Sequence, residues 1–284
     1  MPRRVIVALI LFLSATLAGP IAAEDSTPRL SVLLERLSRA ATLFHDNALE
    51  FACDERIVWK GRGRGSGSAN FEYIFAYDDR GELEDYRTNV SARKRKKAPR
   101  EVRPEDSGVP TYVRSAYLWV LTFHESRQPS HTYRIEGEEV IRGVSTVKIA
   151  FDPIPPYRDR FNDWFGIAWI DPEMAQIVRL VAYRLEDEEV RRLLDEFRRG
   201  GELEKDRYEL RTITTDFTET KNGLRLPGSI RIEKATFWAK NRKRLEEHKK
   251  VLLEVEQTFT GYRFFSVRSE VEMRDFIRDG TQLE

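Results

Sequence analysis

The strongest constraint on this chain is a period of two. From Phe51 onward, short runs alternate apolar with polar residues and are separated by turn residues. Phe51, Cys53, Ile57 and Trp59 share one side of the first run, and Phe71, Tyr73, Phe75 and Tyr77 share one side of the second. Successive side chains of a strand point to opposite faces, so this spacing predicts half-buried strands. The runs ELEDYRTNV, HTYRIEGEEV, STVKIAFDP, WFGIAWI, QIVRLVAYR, YELRTITTDFTE, LRLPGSIRIEKATFW and VLLEVEQTFTGY continue the pattern. Turns fall at Asp78-Asp79-Arg80-Gly81, Arg142-Gly143, Asp171-Pro172-Glu173 and Lys221-Asn222-Gly223. Connections this short join antiparallel neighbours. Roughly nine or ten strands joined in this way make a large antiparallel sheet with one face on the core, which must curl or close.

Three segments read as helices. In 26–48, Ser26 is a candidate N-cap and Pro28 lies in the first turn, followed by Leu30, Leu33, Leu34, Leu37, Ala40, Ala41 and Phe44 at helical spacing. This amphipathic helix is the natural cover for the concave side of the sheet. Residues 112–125, YVRSAYLWVLTFHE, are apolar on most faces and read as a short buried helix, with a strand as the alternative. Residues 186–205, EDEEVRRLLDEFRRGGELEK, suit a surface helix ended by Gly200-Gly201. The fold class is therefore α+β, with one domain over 24–272 and a tail at 273–284.

The N-terminus has the three parts of a secretory signal peptide. Arg3 and Arg4 precede an apolar run from Val5 to Ala18, and small residues end at Ala23. The run is short beside the roughly 20 residues of a membrane span, which is what an uncleaved anchor would need. Cleavage after Ala23 implies a periplasmic or secreted protein with no transmembrane segment. It also changes 48 basic against 47 acidic residues to 46 against 47, a net charge of −1. A near-neutral chain has no global field for nucleic acid or an anionic membrane.

Few residues point to chemistry. The stretch WKGRGRGSGSANFEY (59–73) could cradle a phosphate or form a hairpin tip. A dinucleotide fingerprint needs G-x-G-x-x-G before a helix, and a Walker loop needs Gly-Lys-Ser/Thr. Here glycines alternate and a strand pattern follows, which favours the hairpin. Cys53 is the only cysteine, so no intrachain disulfide forms; it reads as a buried thiol rather than a nucleophile. His45, His124, His131 and His248 carry no metal-ligand spacing, and no catalytic elbow or carboxylate pair stands out, so neither cofactor, metal nor enzymatic activity is expected. The basic run Arg93, Lys94, Arg95, Lys96 and Lys97 is either a solvated loop or a surface for lipid headgroups or an acidic partner. Trp119, Phe123, Trp164, Phe165 and Trp169 are either ordinary core or the lining of an apolar cavity.

The order of segments resembles a known group. A helix ending near ALEFACDE, the hairpin YRIEGEEVIRGVSTVKIAFDPIP and above all GIAWIDPEMAQIVRLVA look like pieces of the LolA/LolB-like superfamily of outer-membrane lipoprotein carriers and sorting proteins. That resemblance implies an unclosed antiparallel β-barrel whose helices plug a hydrophobic cavity. It carries over no ligand residue. The function it implies is non-enzymatic binding of a lipid or acyl chain beneath the sheet. The alternative is an envelope protein-interaction or sensor module without a small ligand.

Overall fold

The structure, a computed structural model, describes residues 26–47, 50–63, 65–77, 83–89, 101–113, 116–154, 164–184, 207–240 and 244–264. The signal segment, the basic run 93–97, the stretch 186–205 and the tail lie outside them.

The alternating runs form strands β1 (Phe51–Gly61), β2 (Gly65–Tyr77), β3 (Leu83–Asn89), β4 (His131–Ile141), β5 (Val144–Pro153), β6 (Trp164–Asp171), β7 (Gln176–Arg184), β8 (Arg207–Asp216), β9 (Glu219–Lys221), β10 (Leu224–Leu226), β11 (Ser229–Lys240) and β12 (Arg244–Phe264). Ten of them make one sheet in the order β3-β2-β1-β12-β11-β8-β7-β6-β5-β4, antiparallel throughout; β9 and β10 make a separate hairpin. Among the described residues β3 and β4 end the sheet without pairing to each other, so it curls but does not close. Register shifts mark where it bends: between Ala52 and Asp54 opposite Gly261, between Ile135 and Gly137, between Trp169 and Ile170, and at two points in β11. An extra residue on one strand of a pair raises the local twist.

Of the expected turns, those at 142–143, 171–173 and 221–223 are present, and 78–81 lies outside the described residues. Arg142 and Gly143 both have positive φ, 51° and 82°, as do Asn222 and Gly223 at 49° and 77°. That pairing suits the twist of a two-residue hairpin. The glycine stretch is the β1–β2 hairpin, with Gly61 opposite Gly65. Gly67 is needed for room: a Cβ there would sit 2.3 Å from the Trp59 ring across the ladder.

Helix α1 (Ser26–Asn47) lies on the concave face, and Leu33, Leu37, Ala40, Leu43 and Phe44 join the same core as β1, β2, β5, β7 and β12. The apolar segment after it is a 3-10 helix, Ala116–Phe123, rather than an α-helix. A second cover, residues 101–113 with a 3-10 turn at Pro104–Ser107, crosses the β1–β3 side. One expectation needs refining. Strands β6 and β7 are buried along almost their whole length on both faces, not on one alone. Gly166 shows how close β6 and β7 lie, since a Cβ there would meet the Val181 carbonyl oxygen at 2.0 Å.

Candidate functional site

The helical period of α1 places Leu37, Ala40 and Phe44 on one stripe that faces the sheet. Opposite it stand Ile177 on β7, Phe217 after β8 and Leu224 on β10, with Val120 and Phe123 of the 3-10 helix at one side. These residues enclose an apolar crevice. Its free volume is about 20 Å³ for the centres of water-sized spheres, room for about one water. Sites that hold drug-sized ligands run to about 300–1,000 Å³, so this crevice is closed as it stands.

Among the described residues its polar lining is Gln176 and Arg225, beside the β6–β7 turn. Asp171 organises that turn by accepting the Glu173 and Met174 N–H groups at 3.0 and 3.1 Å on Oδ1. Its Oδ2 accepts from Arg225 Nη2 at 3.0 Å. Gln176 donates to the Gly223 carbonyl at 2.8 Å and accepts from the Arg225 N–H at 2.6 Å, so the β9–β10 hairpin is pinned to the start of β7. Arg36 of α1 reaches the same turn. Its Nη1 donates to the Pro172 carbonyl at 2.7 Å and its Nη2 to that of Glu173, while Nε is buried with no partner among the described residues. Gln128 ties the far side of α1 by donating to the Leu34 carbonyl at 3.0 Å.

A second polar cluster lies under the cover 101–113. Glu55 and Arg87, almost fully buried, pair through Nε–Oε2 at 2.6 Å and Nη2–Oε1 at 3.1 Å, and Arg87 Nη1 reaches Asp85 at 2.6 Å. Gln257 donates to Glu55 at 2.9 Å and accepts the Val113 N–H at 2.7 Å. The guanidinium lies 4.7 Å from the Tyr73 ring centre and 4.8 Å from that of Tyr112. Burial alone would lower the Arg87 pKa, but the Glu55 carboxylate more than offsets it and holds Arg87 charged. Burial, with Asp85, pushes the Tyr73 phenol well up. The cluster is a structural clamp on 101–113.

The five aromatic candidates are divided. Phe123 lines the crevice. Trp119 and Trp164 meet edge to face at 5.5 Å elsewhere in the same core. Alternation along β6 puts Phe165 and Trp169 on the other face, where Phe165 stacks on Tyr183 at 5.4 Å and Trp169 Nε1 donates to Glu139 at 3.1 Å. Arg93, Lys94, Arg95, Lys96 and Lys97 lie outside the described residues. Cys53 is buried in the core and forms no disulfide. No group of three or more His, Cys, Asp or Glu able to hold a metal occurs among the described residues. The sequence reading missed Arg36, Gln176 and Arg225; of the polar group only Asp171 was visible, as a turn residue.

No family model matches the sequence, and neither does any curated protein. Among solved structures, the chain is similar to a DUF1329 family protein from Desulfovibrio piger, with 8% identity and a TM-score of 0.42 over 87% of this chain and 96% of that one. It is similar to a LolA superfamily protein from Nitrosomonas europaea, with 9% identity and a TM-score of 0.39 over 82% and 93%. It is also similar to the lipoprotein LppX from Mycobacterium tuberculosis, with 13% identity and a TM-score of 0.22 over 84% and 97%. A LolA superfamily protein, from the group that the hairpins resemble, is thus among the solved structures to which the chain is similar.

Proposed function

We propose that the chain is a non-enzymatic cell-envelope protein that takes a lipid acyl chain between α1 and the concave face of the sheet. The observation that carries this reading is the crevice, an apolar seam whose one wall is a separate amphipathic helix. Its apolar stripe joins α1 to the core, and its polar ties include Arg36 to the β6–β7 turn, Gln128 to Leu34, and an exposed Arg29–Glu138 pair at 2.7 Å. The seam holds about one water when closed, so a chain enters as α1 lifts. Ten buried methylenes contribute about 8 kcal/mol, comparable to the burial of three or four large apolar side chains. The signal-like N-terminus supports an envelope location.

A protein-interaction role would most simply use a sheet edge, and β4 is poorly suited to one. It carries a bulge at Ile135/Gly137 and the charges of Arg134, Glu136, Glu138 and Glu139, devices that resist pairing with another strand. The lipid reading is therefore preferred. Native mass spectrometry of protein purified from its own host, followed by lipid extraction, tests it. The expected result is a non-covalent acyl lipid at about one per chain. A bare mass, together with no uptake of added palmitate or hexadecanol, overturns it.

A further inference from the structure

We infer that the acyl chain taken by this crevice ends in an anion, a carboxylate or phosphate, and that Arg225 is its charge partner; this rests on the crevice being an acyl site. Two guanidinium groups, Arg36 and Arg225, converge on the β6–β7 turn at one side of an otherwise apolar seam. Arg225 lines the seam itself. Asp171 engages it through Nη2 alone, which leaves Nε and Nη1 to bond water or a ligand. Arg36 spends its two Nη groups on neutral carbonyl oxygens, so among the described residues its charge is met by no carboxylate there.

The turn offers one inward carboxylate, Asp171, whereas Glu173 is exposed to water. Two positive charges against one leave an excess of one at the polar side of an apolar site. A guanidinium with donors to spare is matched by a carboxylate or phosphate oxygen through charge-assisted hydrogen bonds, which are about twice as strong as neutral ones. An uncharged alcohol gains only the apolar term. The polar group would sit where Arg225 meets solvent, with its side chain about a quarter exposed (24%), so the headgroup keeps part of its hydration.

The test compares binding of palmitate, hexadecyl phosphate and hexadecanol to the full chain by isothermal titration, for the wild type, Arg225→Gln and Arg225→Lys. The expected result is that the wild type prefers one or both anions to hexadecanol by about tenfold, as one charge-assisted bond predicts. Arg225→Gln is expected to lose that preference, both anions falling to the affinity that hexadecanol has for the same variant, and Arg225→Lys to retain most of it. Circular dichroism confirms that each variant folds, and Arg225→Lys keeps the test open should Arg225→Gln not fold. Which anion binds better distinguishes a fatty acid from a phosphorylated lipid. Equal affinity for hexadecanol and both anions overturns the inference and leaves the acyl site standing; so does a preference untouched by Arg225→Gln. Failure of all three ligands to bind overturns the acyl site itself.

Discussion

The concave face is covered in two ways. One cover is α1, attached through Leu33, Leu37, Ala40 and Phe44, with Arg36 bonded to the β6–β7 turn and Gln128 to the Leu34 carbonyl. Over β1 to β3 the cover is 101–113, an irregular strap fixed to a buried ion pair, two tyrosine rings and a glutamine that bonds its backbone. Apolar burial is non-directional, so a helix held by it can shift and exchange its contacts for those of a ligand. A buried charge network is directional, and displacing one partner leaves the other uncompensated. On the proposed reading the two covers differ in role: α1 is the part that moves, and the strap is the part that stays.

The largest effect should come from the strap. Arg87→Met leaves the Glu55 carboxylate buried with Gln257 but no counter-charge, and is expected to cost about 3–5 kcal/mol in urea unfolding. Adding Glu55→Leu should recover much of that loss, because removing both charges removes the penalty. Leu37→Ala on α1 should cost about 3 kcal/mol. Unlike the strap variant it should speed acyl uptake, since it widens the crevice that Leu37 lines. Gln257→Leu orphans the Val113 N–H, with an expected loss of about 1–3 kcal/mol and faster hydrogen exchange at 109–113. Arg36→Gln releases α1 from the turn carbonyls, and about 1 kcal/mol or less is expected, with faster exchange confined to α1.

The smallest effect is a pH slope. Burial holds the His131 imidazole below its ordinary value of 6.5, against a bond with the Arg127 carbonyl that pulls the other way. The unfolded chain thus binds the proton more readily, so His131 destabilises the fold as pH falls through 6.5 toward its folded value. The contribution is at most about 1.4 kcal/mol per pH unit, and His131→Gln should flatten the unfolding midpoint between pH 7 and 5.

Much of the fold was legible because strand alternation and turn chemistry are local. The pairs Arg142-Gly143 and Asn222-Gly223 named their hairpins, and the leucine spacing named α1. Strand β6 was different: it is apolar at nearly every position, so period two could not say which of Trp164, Phe165 and Trp169 faced α1. The ion pair was half visible. Glu55 interrupts the apolar side formed by Phe51, Cys53, Ile57 and Trp59, a sign of a buried charge, but its partner Arg87 is 32 residues away. Arg36 and Arg225 were hidden among 48 lysines and arginines and are distinguished only by the turn on which they converge.

Hydrogen exchange with and without palmitate tests the division between the two covers most directly. Exchange should change across 26–47 and the turn 171–175 when palmitate binds, and stay the same across 101–113. A change centred on 101–113, or no change anywhere at saturating palmitate, would contradict a mobile α1 over a fixed strap.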